Sequence, residues 1–237
     1  MARRENSKIL QGEPRVDGHF HRNRLLTTLG PADRASLEDH FELVDLSRGA
    51  VLFRVGDDVE QTHFPSAGAL VCLTVGLNDG RRVQVATIGC EGAVGGIVSS
   101  GHKPAFSDAV VEIAGPALRI ATTRLEAAKE RSAAVRDLFS RYADALLAQV
   151  MQSVACNAVH TIEERFCRWL LTTHDRVGRL DIDLTQEAMA DMLGAQRSTV
   201  STTAKSLRER GLIAYRRGRI TILDRKAMED VCCECYQ

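Results

Sequence analysis

The chain has 237 residues, with 31 lysines and arginines balanced by 31 acids for a formal net charge of zero, and 44% of it is hydrophobic. No apolar run approaches the roughly 20 residues of a membrane helix, and the polar opening MARRENSK has no apolar stretch behind it, so neither a membrane helix nor a secretory leader is expected. The length suits two domains, the expected location is cytoplasmic, and the odd set Cys72, Cys90, Cys156, Cys167, Cys232, Cys233 and Cys235 reads as reduced thiols rather than a disulfide framework.

In chain order, residues 1–22 are polar and aperiodic and read as a flexible N-terminal arm. Asn23 to Leu37 suggests two short helical pieces broken at Gly30 and Pro31. Short β-rich runs follow at Phe41–Leu46, Val51–Val55, Thr62–Pro65 and Ala69–Val75, separated by Arg48-Gly49, Gly56-Asp57 and Ser66-Ala67-Gly68. Asn78-Asp79-Gly80 is a hairpin signal, with Arg82–Ile88 as the returning strand. After a glycine-rich insert, Gly89 to Gly101, strands resume at Ala109–Ile113 and Ala117–Ala121. Turns at this spacing predict an antiparallel β sandwich over residues 23–131.

From 132 to 158 the period becomes helical. Val135, Leu138, Tyr142, Leu146 and Val150 lie on an apolar stripe with no glycine or proline to break it. A helix of that length between two domains has no covering layer of its own, so the stripe is expected to pair with a second copy in a parallel homodimer. Thr161–Thr173 is amphipathic, with Ile162, Phe166, Trp169 and Leu170 on one face.

The last segment, 159–237, carries the chemistry. Thr185 caps a helix that Gly194 ends; a second helix turns Val200, Ala204 and Leu207 inward and Arg197, Ser198, Ser201, Thr202 and Lys205 outward. Leu212–Tyr215, the turn Arg216-Arg217-Gly218 and Arg219–Leu223 read as a hairpin. Two helices and a basic hairpin make a winged helix-turn-helix. A helix entering a major groove needs short outer residues, or long ones that donate to bases and phosphates. Between Ala195 and Lys226 nine lysines and arginines face only Glu209 and Asp224. The candidate DNA-binding set is Gln196, Arg197, Ser198, Thr199, Ser201, Thr202 and Lys205, with Arg216, Arg217 and Arg219 on the wing.

The order sandwich, long helix, winged helix-turn-helix resembles the superfamily of bacterial regulators that contains the cyclic-AMP receptor protein and the fumarate and nitrate reduction regulator. The likeness runs from about Leu25 to Val231, most specifically in EERFCRWLL, LTQEAMADMLGAQRSTVSTTAKSLRERGLI and GRITI. It implies an α+β fold with a cyclic-nucleotide-binding-like jelly roll. It also implies a homodimeric transcription regulator on palindromic double-stranded DNA, with RNA polymerase as a further partner. Arg197 stands where the family places a base-reading arginine, while Ser198 and Thr202 replace an acid and a second arginine.

Members that bind a cyclic nucleotide hold it with a Gly-Glu pair and a later Arg-Ser or Arg-Thr. Here Gly89, Glu91 and Gly92 remain, but Ala105-Phe106 stands at the later pair and Lys103 is the nearby cation, so cyclic AMP is not expected to bind. The effector stays unknown, and a regulator without an effector is the alternative. No cofactor or metal is assigned. An N-terminal iron–sulfur cluster would need cysteines earlier than Cys72, and His63, His102 and His160 are isolated. Cys232, Cys233 and Cys235 are too closely spaced along the chain to converge on one ion unaided. A jelly-roll metal enzyme is the rival class; its His-x-His signature occurs only as His19 and His21 in the arm, and no catalytic residue is assigned.

Overall fold

A computed structural model describes residues 16–78, 82–97, 101–179 and 181–236. Residues 79 and 80 of the expected hairpin turn, and 98–100 of the glycine-rich insert, lie outside that description. The chain forms two compact units, one comprising the residues up to Leu73 with Thr87–Leu147, the other Thr74–Ala86 with Ala148–Gln237.

The first unit begins with three short helices, α1 (Val16–Phe20), α2 (Arg24–Thr27) and α3 (Pro31–Glu38). Residues 16–20 are therefore helical, although they fall inside the expected arm of residues 1–22. Phe20 is the reason: it is fully buried and starts a run of edge-to-face aromatic contacts through Phe41 and Phe64 to Phe139, with ring centroids 5.5, 5.5 and 6.2 Å apart. Asn23 locks α2 onto the sheet. Its buried amide donates to the carbonyls of Pro65 (2.9 Å) and Gly92 (2.8 Å), and its oxygen caps Leu26 N.

Seven strands follow: β1 (Glu42–Leu46), β2 (Val51–Phe53), β3 (Gln61–Pro65), β4 (Leu70–Gly76), β5 (Arg82–Ile88), β6 (Asp108–Ile113) and β7 (Gly115–Ala121). They pair as two sheets, in the orders β1-β7-β3 and β2-β6-β4-β5. β7 runs antiparallel to both neighbours, with Leu118 opposite Leu43 on one side and Phe64 on the other. Core side chains of the two sheets, among them Val44, Val71, Val111 and Ala117, pack in a second cluster.

Helix α4 (Thr122–Arg131) precedes α5 (Ala133–Val159), a single helix of 27 residues. The stripe expected to form the dimer does not lie on one free face. Val135 is fully buried in the unit's own core, Leu138 and Tyr142 pack against that core, and Leu146 packs on the second cluster. At 100° per residue, one position moves the chain from the covered face to the open one. Leu147, Met151 and Val154 are 58–66% exposed, and Val150 beside them is half-buried. The first half of the predicted seam thus serves the protomer, and the open apolar stripe begins at Leu147.

His63 in β3 is a buried imidazole whose Nδ1 has no hydrogen-bond partner among the described residues. Burial, with Arg119 adding repulsion, lowers its pKa to about 4. Because the folded value lies below the unfolded value of about 6.5, this stabilisation is complete above pH 6.5 and is lost as pH falls toward 4. We expect roughly 2–3 kcal/mol of stability to disappear between pH 7 and 4.5 through this group. Urea midpoints at the two pH values measure it. His63→Gln should flatten the difference, and an unchanged slope would assign the loss to other groups.

Candidate nucleic-acid interface

The second unit is built on α6 (Ile162–Val177). A capping box starts it: Thr161 N and Oγ1 both donate to Glu164 Oε2 at 2.7 Å, and Glu164 N donates to Thr161 Oγ1 at 3.3 Å. Those donors, the Thr161 hydroxyl first, hold the Glu164 carboxyl below its ordinary pKa. The buried set Phe166, Cys167, Trp169, Leu170, Leu171 and Val177 extends beyond one stripe because α6 packs against several partners. These include α7 (Gln186–Leu193), α8 (Arg197–Glu209) and α9 (Arg225–Val231).

Thr185 Oγ1 accepts from Ala188 N at 3.1 Å to start α7, and Gly194 at φ 59° ends it in the left-handed region, a conformation that costs glycine little. α8 then buries Val200, Ala204 and Leu207 as expected, and also Thr203. A bond the sequence did not reveal fixes the pair of helices. Ser201 Oγ donates to Gln186 Oε1 at 2.7 Å, so this hydroxyl is engaged between α7 and α8. Gln196, Arg197, Ser198, Thr199, Thr202 and Lys205 are exposed. Thr202 bonds back to Ser198 O at 3.0 Å, and Lys205 lies 3.8 Å from Glu209. Arg197 makes no ion pair among the described residues.

The wing has three strands rather than two: β8 (Asp181–Asp183), β9 (Ile213–Arg216) and β10 (Arg219–Ile222), in the order β8-β10-β9. Arg217 and Gly218 both have positive φ (51° and 76°), as a two-residue type I′ turn requires. An arginine in that conformation is strained by about 1 kcal/mol, and the strain places its side chain at the tip. The wing arginines divide into two kinds. Arg216 and Arg217 are exposed without ion pairs among the described residues, whereas Arg219 Nε donates to Asp183 Oδ1 at 2.7 Å, a bond that raises its pKa. Asp183 lies in the short β8, whose only sequence signal is the alternation Asp-Ile-Asp.

The candidate effector residues are occupied by the protein itself. Gly89 N donates to both Glu91 carboxylate oxygens at 3.1 Å. Over Gly92 sits Tyr142 of α5, whose hydroxyl donates to Ala93 O at 3.0 Å; a Cβ at residue 92 would come within 2.2 Å of the Tyr142 hydroxyl oxygen. Lys103 is buried, 3.1 Å from Glu126 Oε1, and also bonds Gly101 O. Lys129, not anticipated from the sequence, donates to Ile97 O at 2.9 Å, and burial lowers its pKa. Of the pair Ala105-Phe106, Ala105, aligned with the arginine, is buried, and Phe106 is 85% exposed.

A helix pair with an open polar and basic outer face, followed by a basic wing, defines a DNA-binding protein of the winged helix-turn-helix class. Residues 164–231 match the Crp-like helix-turn-helix domain family. The nitrogen fixation regulation protein FixK of Rhizobium meliloti is 28% identical over 188 residues, covering 78% of this chain and 84% of FixK. Among solved structures, FixK2 from Bradyrhizobium japonicum superposes with a TM-score of 0.70 at 18% identity, over 81% of this chain and 98% of its own. TTHB099 from Thermus thermophilus, a transcriptional regulator of the CRP family, gives 0.64 at 20% identity, over 79% and 95%. Residues 164–231 thus form a Crp-like helix-turn-helix domain, and the chain is similar in sequence to the regulator FixK and in fold to FixK2 and TTHB099.

Proposed function

We propose that this chain is a transcription regulator of the Crp/Fnr type that binds palindromic promoter DNA as a parallel homodimer, and that its sandwich is a degenerate effector domain that does not take cyclic AMP. The observation that carries the dimer is the exposed stripe Leu147, Met151 and Val154. Its i, i+4, i+7 spacing is that of a coiled-coil seam. Two copies joined there present two α8 helices to successive turns of one DNA face, Arg197 to a base edge and Arg216 and Arg217 to phosphates. Arg219 is the weaker phosphate ligand because Asp183 already neutralises it. RNA polymerase, met at the promoter, is the further partner this reading implies.

For the sensor half, the engagement of Glu91 by Gly89 N and of Lys103 by Glu126 supports a site without free groups for a ribose or a phosphate. The test is a binding selection from a random duplex pool with the purified full chain, run with and without cyclic AMP. The expected result is one palindrome recovered in both arms with unchanged affinity. Recovery of single half-sites would overturn the dimer, and recovery only with cyclic AMP would overturn the degenerate sensor.

A further inference from the structure

Four metal-ligating side chains lie together in the second unit, none of them among the DNA-facing residues just described. Cys156 is in the last turn of α5 and His160 follows four residues later, just past the helix end. Cys233 and Cys235 come from the segment after α9, where Glu234–Tyr236 form a 3₁₀ turn. One ligand atom from each of the four falls within 4.8 Å of all the others. Cys156 Sγ is 3.6 Å from Cys233 Sγ, and His160 Nδ1 is 3.6 Å from Cys235 Sγ.

Those distances select the ion. Tetrahedral zinc, with Zn–S near about 2.3 Å and Zn–N near about 2.0 Å, sets sulfur–sulfur edges at about 3.8 Å and sulfur–nitrogen edges at about 3.5 Å. An iron–sulfur cluster distributes its ligands over several irons and needs a wider cage. We infer that Cys156, His160, Cys233 and Cys235 form a structural zinc site that staples the end of α5 to the segment following α9.

The surroundings match what such a site needs. His160 Nε2 lies 3.2 Å from Glu234 Oε2, so the ring nitrogen away from the sulfurs faces a carboxylate, the arrangement that fixes the tautomer of a zinc-bound histidine. Gln152 donates its side-chain N–H to Cys235 Sγ. Zn²⁺ displaces three thiol protons, and three thiolates with one neutral imidazole leave the site at −1. Arg165 is buried near Cys156 and Cys233. Its Nε has no hydrogen-bond partner among the described residues, and it supplies the compensating charge. Cys156 and Cys233 are almost fully buried, so the ion is shielded from water and competing ligands. The following turn is held independently: Arg225 Nη1 lies 2.9 Å from Asp175 Oδ1, and the Tyr236 hydroxyl donates to Asp175 Oδ2 at 2.6 Å. The expectation of no metal took Cys232, Cys233 and Cys235 as one cluster and His160 as an isolated histidine. Cys232 instead turns its sulfur to Glu164 O at 3.9 Å, and the set is completed by Cys156 in the last turn of α5 and His160 just beyond it.

The test uses the full chain, purified under reducing conditions and stripped by chelation, titrated first with Co²⁺ and then with Zn²⁺. The expected result is one Co²⁺ per chain with the intense visible bands of a tetrahedral site and sulfur-to-cobalt charge transfer, all displaced by Zn²⁺. Cys235→Ser, at a partly exposed position that leaves the fold intact by circular dichroism, should abolish these bands. Cys232→Ser should retain them, and Glu234→Gln should weaken zinc binding by about 10–100-fold. A weak octahedral cobalt spectrum, equal binding by Cys235→Ser and the parent chain, or a Cys156–Cys233 disulfide in place of metal would each overturn the assignment.

Discussion

Replacing Arg197 with alanine is expected to weaken binding to the cognate palindrome by about 1–3 kcal/mol per half-site and to relax preference at one base position. Arg197 opens α8, is exposed, and makes no ion pair among the described residues, so its guanidinium is available for a bidentate contact with guanine. The same change should leave binding to random DNA and its salt dependence nearly unaltered. The wing supplies the contrast. Arg216→Ala or Arg217→Ala should weaken cognate and random duplexes alike and reduce the slope of log K against log salt by about 1 each, because a phosphate contact carries no sequence information. Fluorescence anisotropy at several salt concentrations separates the two signatures. Equal losses on both DNAs for Arg197→Ala would remove its base-reading role.

The double variant Met151→Glu, Val154→Glu should convert the proposed dimer to monomer in sedimentation and lower affinity for the proposed palindrome by about 100-fold or more, since each half-site would then bind alone. Both positions are exposed on α5, so the glutamates face water in the isolated chain and the protomer should stay folded. Facing one another across a seam, they would repel and desolvate. Val135→Glu would be misleading, because that side chain is buried in the protomer's own core and its loss would unfold the unit. A double variant that remains dimeric would place the interface elsewhere.

These two experiments probe regions that differed in how much their residues revealed. The helix-turn-helix was legible because its determinants are local: the Thr185 cap, the left-handed Gly194 and the spacing of Val200, Ala204 and Leu207 all act within a few positions. On α5, the apolar content was plain but its allocation was not. Leu146 and Leu147 are neighbours in sequence and belong to different surfaces, a distinction set by where the sandwich lies against the helix. The acids of β8 became partners only through the register that puts Asp183 opposite Arg219. Cys156 and Cys233, 77 positions apart, have no local signal that joins them; an i, i+4 Cys/His pair at a helix end was the one available hint.

The central place of β7 in its sheet also dictates the order of events on the ribosome. β1 and β3 lie on either side of β7 and do not pair with each other, so neither has a partner in that sheet until residues 115–121 have been made. Glu42 and its partner Arg119 are 77 residues apart. At about 5–20 residues per second, the emerging segment spends about 4–15 s with two open strand edges and Phe41, Val44 and Phe64 uncovered. The nascent chain is therefore most exposed to aggregation, and most in need of a chaperone, before translation reaches the long helix.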